Sequence, residues 1–213
     1  MVQAIELEAL SASKLTRLID RGVRTAVVPF GSIEHHGGHL PLGADALVAD
    51  AVGREVACRV GAVLLPTVRF GDSKGHEELP GTVGVGAETL MTTAVDVSRG
   101  LAKSGFIVIA LLSTHGGNRA GLDAAVKRLK GMTRAAVCAP QGDLGPTPGS
   151  YSGEWLTSVM LALRPELVEI ASAPLNLRDE LQVAHAERGQ QHLERFVATT
   201  IQSMMGRVSS KTG

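Results

Sequence analysis

The feature that most constrains the fold of this chain is a regular alternation of short apolar runs with longer segments of helical periodicity. The chain has 213 residues, and four of its apolar runs are typical of buried strands: Thr25–Phe30, Ala62–Val68, Phe106–Leu112 and Thr133–Cys138. Apolar side chains recur at the spacing of one helix face in four other segments, Ala12–Asp20, Ala44–Val60, Ala87–Lys103 and Arg119–Lys130. Alternation of strand and helix predicts βαβ units. We therefore predict an α/β fold, a three-layer sandwich with a central, mainly parallel β-sheet.

The last third of the chain is less regular. A helix is predicted over Gly153–Leu163, and a long terminal helix over Asp179–Met205, with a weak point at Gly189 and a frayed tail after about residue 206. No shift in composition marks a second domain, so residues 1–213 are predicted to form one domain.

Composition argues against several classes of partner. The 21 basic and 21 acidic residues balance, which removes the electrostatic case for binding nucleic acid or an anionic membrane surface. No apolar run approaches the ~18 residues needed to span a bilayer, and the acidic start does not suit a secretory signal. Cys58 and Cys138 lie in apolar stretches and are expected to be buried free thiols. A reducing, cytoplasmic location is therefore expected.

Glycine-rich loops that carry histidines and carboxylates follow three of the predicted strands. The first, Gly31–Asp45, holds Glu34, His36 and Asp45, and the third holds His115. Since loops at the carboxyl ends of parallel strands share one sheet edge, these side chains are expected to meet there. Imidazole and carboxylate together suit Zn, Mn or Fe(II), and Asp45 has two oxygens with which to bridge two metals. The pattern indicates a metal site with these four residues as ligands, in a metal-dependent hydrolase.

Other residues of these loops are candidates for catalysis or substrate binding. His76 is either a catalytic or substrate-contacting group or a hydrogen-bonded loop residue, and Asn118 either caps a helix or contacts substrate. Trp155 either lines a pocket or packs in the core, whereas His185 and His192 are expected at the surface of the terminal helix. The candidate substrate-binding residues are His39, Ser73, Gly116, Gly117, Asn118 and Trp155.

Four motifs in order resemble a known family. The chain contains GSIEHHGGHLPLGAD, GDSKGHEELPGT, THGGN and GEWLTSVMLALRPE. These are similar to GSxEQHGPHLPLxxD, YGxSxEHxxFPGT, NGHGGN and HAGxxETSxML of the creatininase (creatinine amidohydrolase) family. The resemblance extends from about Thr25 to Glu169.

This resemblance implies a compact α/β fold, usually assembled as a homohexamer, and one or two divalent metals per subunit, Zn, Mn or Fe. It implies hydrolysis of a non-peptide or cyclic amide C–N bond of a small molecule, by attack of a water molecule that the metal activates. The family also includes formamide-releasing deformylases and a peptidase that trims a peptide precursor. Carried over by position, the metal ligands are Glu34, His36, Asp45 and His115.

The chain departs from the family pattern in its HAGxxE segment. Tyr151 stands where the family has a proton-handling histidine, and Leu156 stands where it has the acid that helps to complete a second metal site. Gly117 cannot replace that acid, although creatininase itself has a glutamate there. Tyr151, Glu154 or a histidine such as His76 is then expected to protonate the leaving nitrogen.

Three functions stay open at this point. The preferred one is an active amidohydrolase with one firm metal site and a weakened second site. The others are a metal-dependent enzyme that opens a lactone or isomerises a biosynthetic intermediate, and a metal-binding pseudoenzyme. Retention of the four candidate ligands favours a catalyst, whereas the changes at Tyr151 and Leu156 favour the alternatives.

Overall fold

The computed structural model of the chain describes residues 3–143 and 152–209. Within these ranges the strands are β1 Ile5–Glu6, β2 Thr25–Phe30, β3 Val63–Leu64, β4 Val108–Ser113 and β5 Ala136–Cys138. The helices are α1 Ala12–Asp20, α2 Ala44–Val60, α3 Ala87–Lys103, α4 Asn118–Leu129, α5 Glu154–Leu163, α6 Arg178–Leu181 and α7 Ala186–Ser209. No helix of the described ranges combines the length and the apolarity needed to cross a membrane.

The strands form one parallel sheet in the order β1-β3-β2-β4-β5. Its longest pairing joins β2 to β4 along all six residues of each strand, from Thr25 opposite Val108 to Phe30 opposite Ser113. Because both strands run the same way, the loops that follow Phe30 and Ser113 leave the sheet side by side. That shared edge is where open α/β sheets bind ligands.

Side chains of each central strand alternate between two apolar layers. Val27 of β2 packs with α2, α5 and α7, whereas its neighbours Ala26 and Val28 pack with α3 and α4. The same alternation separates Ala110 from Ile109 on β4. A strand buried on both faces in this way needs apolar residues at successive positions. The predicted fold class, a three-layer α/β sandwich with a parallel sheet, is confirmed.

Two strands differ from the prediction. The strand predicted over Ala62–Val68 is reduced to β3, with one further bridge between Phe30 and Val68. Pro66 lies between these two pairings, and a proline has no N–H to give to a sheet ladder. The short edge strand β1 was not predicted, because two residues are too few to show a period.

The predicted terminal helix is broken into α6 and α7, and the break lies before Gly189. The backbone N–H of His185 donates to Ser158 Oγ of α5 at 3.2 Å, and His185 Nδ1 accepts from the Arg188 N–H at 3.3 Å. His185 is therefore the N-terminal cap of α7. The position of this cap is set by the contact with Ser158 of α5, and local helix propensity does not reveal a contact between two helices. The helix continues to Ser209, beyond the end expected near residue 206.

Gly189 is a close-packing position and not a weak point. A Cβ atom there would lie 1.9 Å from the carbonyl oxygen of Ser158, so α5 and α7 can approach this closely only if the residue is glycine. Gly100 of α3 has no atom within 4 Å of the equivalent position and offers a matched control.

We expect Gly189→Ala to lower the free energy of unfolding by about 3 kcal/mol, the upper part of the usual range for overpacking. Gly100→Ala should raise it by about 0.5–1 kcal/mol, because alanine is the better helix former. Urea denaturation of the two variants beside the wild type measures both changes. Equal stability of the two variants would show that α5 and α7 are not in close contact at Gly189.

Candidate metal centre

Two acidic side chains and one imidazole converge at the carboxyl edge of the sheet. Glu34, Asp45 and His115 each place one potential ligand atom within 4.8 Å of the others, and all three are buried. His115 Nδ1 lies 2.8 Å from Asp45 Oδ2, and His115 Nε2 lies 3.4 Å from Glu34 Oε2. Two carboxylates and an imidazole are a donor set that divalent Zn, Mn or Fe accepts.

The fold explains why residues so far apart in sequence meet. Glu34 lies on the loop after β2, and His115 lies on the loop after the neighbouring strand β4. Asp45 is the second residue of α2, where the positive end of the helix dipole favours a carboxylate. Because β2 and β4 are paired along their whole length, their loops hold the three side chains at one place.

His36 lies beside this cluster. Its Nε2 atom is 3.6 Å from Asp45 Oδ2 and 3.9 Å from Glu34 Oε1. Asp45 Oδ2 also accepts a hydrogen bond of 2.9 Å from the Ser32 hydroxyl, so one oxygen faces Ser32 and both imidazoles. The structure thus brings together all four residues predicted as ligands, and the assignment of each as a ligand stays a prediction.

The two imidazoles differ in their electrostatics. Burial lowers the pKa of His36, despite the raising effect of Asp45 and Glu34, so its ring is neutral at physiological pH. Burial also opposes a charge on His115, but its hydrogen bond to Asp45 and the nearby carboxylates raise its pKa to about 9. His115 therefore carries a proton on each ring nitrogen at neutral pH.

The second nitrogen of His115 is held by a backbone carbonyl. His115 Nε2 donates to the carbonyl oxygen of Asp72 at 2.9 Å. When the Nδ1 proton leaves, this bond keeps the ring in place with the Nδ1 lone pair directed toward Asp45. A group behind the ligand that fixes its tautomer in this way is typical of metal-binding histidines.

Gly117 and Asn118 hold the loop that supplies this carbonyl. A Cβ atom on Gly117 would lie 2.0 Å from Asp72 O and 2.6 Å from His115 Nε2. Asn118 is fully buried; its Oδ1 accepts from the Asp72 N–H at 2.9 Å, and its Nδ2 donates to Gly31 O and Ser113 Oγ. The side chain of Asn118 therefore ties three loops together. Gly117, not Asn118, is the N-cap residue of α4, and substrate contact by Asn118 stays a prediction.

The remaining loop candidates lie at different distances from the cluster. His76 is closest to it, with Nδ1 3.9 Å from Glu34 Oε2 and its side chain 30% exposed. Ser73 is buried, and its hydroxyl has no hydrogen-bond partner among the described residues. His39 is also buried, and its Nε2 contacts Ser152 O and Thr157 Oγ1 at 3.2 and 3.1 Å. Of the predicted catalytic residues that the structure describes, His76 is thus the one placed beside Glu34 of the cluster.

A cavity opens beside His115. It has a volume of about 280 Å³, and its lining includes His115, Gly116, Arg119 and Phe196. Gly116 lies in the wall of this cavity, and its role in substrate binding stays a prediction. Its walls are mostly apolar, which is usual for a small-molecule pocket.

Glu154 lies in a separate cluster between α5 and α7. Its carboxylate accepts hydrogen bonds from Ser158 Oγ, Arg188 Nε and His192 Nε2 at 2.7, 2.7 and 3.1 Å. Burial favours the neutral acid, but these hydrogen bonds and the charge of Arg188 lower the pKa of Glu154. An ionised carboxylate with these partners is a poor proton donor, so the geometry does not support the catalytic role predicted for Glu154.

The neighbours of Glu154 also face the core. Trp155 packs against His192 and Phe196 at centroid distances of 6.1 and 5.7 Å, and Leu156 lies in the same apolar layer. The core alternative for Trp155 is therefore the one the structure shows. His192, expected at the surface, is mostly buried by these contacts. Tyr151, the other predicted proton donor, lies outside the described residues.

Sequence reasoning missed three groups that surround the candidate ligands. They are the Ser32 hydroxyl on Asp45, the Asp72 carbonyl on His115, and Ser152, whose Oγ lies 3.3 Å from His36 Nδ1. A backbone carbonyl leaves no signal in the residue type. Ser152 does leave such a signal in the sequence, because it is a polar residue at a position where the similar family segment has alanine.

The sequence of the chain is similar to those of several known proteins. The sequence profile of the family Creatininase (creatinine amidohydrolase) matches residues 8–208. The mycofactocin precursor peptide peptidase of Mycobacterium ulcerans (strain Agy99) is 35% identical over 151 residues, which cover 67% of this chain and 59% of that protein. The creatinine amidohydrolase of Pseudomonas putida is 31% identical over 172 residues, covering 68% and 66%. The chain spans about three fifths of the length of the first of these relatives.

Solved structures show the same fold. A crystal structure of creatinine amidohydrolase (creatininase) has a TM-score of 0.75 and 25% identity, covering 94% of this chain and 96% of the other. Two further creatininase structures, described as an Mn form and as a Zn–Zn type, have TM-scores of 0.76 at 24% identity, covering 94% and 97%.

Binding of Zn²⁺ should depend on pH through His115. Because its pKa is raised to about 9, one proton must leave before the Nδ1 atom can bind a cation. The Kd should therefore fall about tenfold per pH unit from about pH 6.5 to 8.5 and level off above 9. Competitive titration against a chelator, corrected for the chelator's own protonation, measures the slope. A Kd that does not vary with pH in this range would contradict a role for Nδ1 as a ligand.

Proposed function

The chain belongs to the creatininase family, and on that premise we propose that it is a metal-dependent amidohydrolase that cleaves an amide C–N bond of a small molecule. The observation that carries this proposal is the buried convergence of Glu34, Asp45 and His115, with His36 beside them. We propose Zn or Mn as the cation, since this donor set suits both and structures of relatives are described with each.

We assign the metal-holding role to Glu34, His36, Asp45 and His115. A divalent cation held there supplies Lewis-acid chemistry, activating water and polarising a carbonyl group. Asp45 is the central ligand because its Oδ2 atom faces both imidazoles. Ser32 orients that carboxylate by donating to the same oxygen.

One metal per subunit is the stoichiometry that the side chains favour. The family's acid for a second metal falls on Leu156, which is buried in an apolar layer. Gly117 has no room for a side chain, and the carboxylate of Glu154 is held by Arg188 and His192. Elemental analysis of the purified chain would count the metals directly.

Proton transfer to the leaving nitrogen is assigned to His76 Nδ1. Its neighbour in the cluster is Glu34 at 3.9 Å, and its partial exposure leaves one side of the ring open to an incoming molecule. A positioned general acid contributes about 10²–10⁴-fold to a rate. Tyr151 is the alternative donor by its position in the family motif.

A second candidate function is cleavage of a peptide bond. It is favoured by a 35% identical relative that is named a peptide peptidase. We also propose that the chain acts in the cytoplasm as a homo-oligomer, hexameric by family resemblance. Light scattering of the purified protein would test the assembly.

Activity should require Asp45. With Zn²⁺ or Mn²⁺ present, we expect the wild type to hydrolyse a member of a panel of cyclic amides, formamides and short peptides. Asp45→Asn should lower kcat/KM by at least about 100-fold, because changes to groups behind metal ligands already cost about 10–100-fold. The class of compound turned over distinguishes the amidohydrolase from the peptidase. Equal rates for wild type and Asp45→Asn would remove the enzyme assignment from this site.

His76→Asn separates proton transfer from metal binding. We expect kcat to fall by about 10²-fold or more while the Kd for the metal stays within about threefold of the wild type. His185→Asn is the matched control, since this histidine caps α7 and should leave the rate unchanged. A normal rate in His76→Asn would transfer the role to another residue.

A further inference from the structure

Ser152 has an unusual backbone conformation. Among the described residues it is the one non-glycine residue with a positive φ, at 64°. A side chain in this left-handed region raises the energy of the backbone, and such strain persists only where surrounding contacts enforce it. Ser152 is buried and lies two residues before α5, so its contacts should explain the strain.

Both polar groups of Ser152 contact histidines of the metal-site loop. Its Oγ atom lies 3.3 Å from His36 Nδ1, and its carbonyl oxygen accepts from His39 Nε2 at 3.2 Å. Thr157 Oγ1 lies 3.1 Å from the same His39 nitrogen and donates to the Ser152 carbonyl at 3.4 Å. The carbonyl is thus held from two sides, which keeps the hydroxyl on His36.

The ring of His36 is oriented so that its two nitrogens face different groups. Nδ1 faces Ser152, whereas Nε2 lies 3.6 Å from Asp45 Oδ2 and 3.9 Å from Glu34 Oε1. A neutral imidazole can offer the Nε2 lone pair to a cation only if its proton is on Nδ1. That Nδ1–H needs an acceptor, and the hydroxyl oxygen of Ser152 is at hydrogen-bonding distance.

We propose that Ser152 is a positioning residue for His36: its hydroxyl accepts the Nδ1–H and so directs the Nε2 lone pair toward Asp45 and Glu34. The strained backbone is what brings the hydroxyl to the ring. The similar family segment has alanine at this position, so the family motif by itself does not predict this contact. The inference rests on the proposed metal site, and it adds a residue that the motif does not contain.

Two substitutions separate the hydroxyl from the backbone strain. Ser152→Ala removes the hydroxyl and keeps a Cβ atom, whereas Ser152→Gly removes the hydroxyl and relieves the positive φ. Both variants should bind Zn²⁺ about tenfold more weakly than the wild type, and the glycine variant should melt at the same temperature as the alanine variant or higher. Ser98→Ala is the matched control, because Ser98 is also buried but its hydroxyl has no partner among the described residues.

A spectroscopic measurement tests the tautomer directly. In metal-free wild type, ¹⁵N NMR of the His36 ring should show a protonated Nδ1 and an unprotonated Nε2. Ser152→Ala and Ser152→Gly should lose this preference, which a purely structural role of Ser152 would not predict. The wild-type spectrum decides the question even if a variant does not fold.

The outcomes are distinct. An unprotonated Nδ1 in the wild type, or wild-type affinity for Zn²⁺ in both Ser152 variants, would overturn the assignment of Ser152. A wild type that binds neither Zn²⁺ nor Mn²⁺ would instead overturn the proposed function, while the tautomer of His36 would still report on Ser152. Weaker binding in both variants, with Ser98→Ala unchanged, supports the proposal.

Discussion

A single buried carboxylate oxygen, Oδ2 of Asp45, joins the elements on which the rest of this structure depends. It accepts from Ser32 at 2.9 Å, lies 2.8 Å from His115 Nδ1, and faces His36 Nε2 at 3.6 Å. Glu34 adds a second buried carboxylate to the same space. Two buried acids need positive charge close to them, because a carboxylate without a partner is costly to remove from water. A protonated His115 supplies part of that charge, and a divalent cation can supply it all.

Close backbone contacts keep the loops in position around this oxygen. The carbonyl of Asp72 reaches His115 because Gly117 has no Cβ to block it. Asn118 then links the Asp72 peptide to Gly31, which directly follows β2, and to Ser113, which is the last residue of β4. Glycine and asparagine of the HGGN segment therefore serve to hold a supporting carbonyl in place. Loops anchored in this way can present ligands with the precision that a metal site requires.

The packing of α5 on α7 accounts for the departures from the family pattern. Leu156 and Trp155 complete an apolar layer, and Glu154 forms an ionised cluster with Arg188 and His192. These residues stabilise the helix pair and provide no second acid at the candidate metal site. We therefore propose His76, which lies beside Glu34 on the loop after β3, as the residue that transfers the proton.

The sequence by itself determined the layers, most helix boundaries and the four residues that meet at the sheet edge. These follow from local patterns: apolar periodicity marks α1, α2 and α3 to the residue, and each candidate ligand follows a recognisable strand or begins a helix. Only the tertiary structure decided the roles of Ser152, Asp72 and Glu154, since each has a partner at least 34 residues away along the chain, namely His36, His115 and Arg188. It also decided the break before α7, where Ser158 binds the backbone of His185. Contacts between distant segments depend on how the helices pack, and no local period in the sequence encodes that packing.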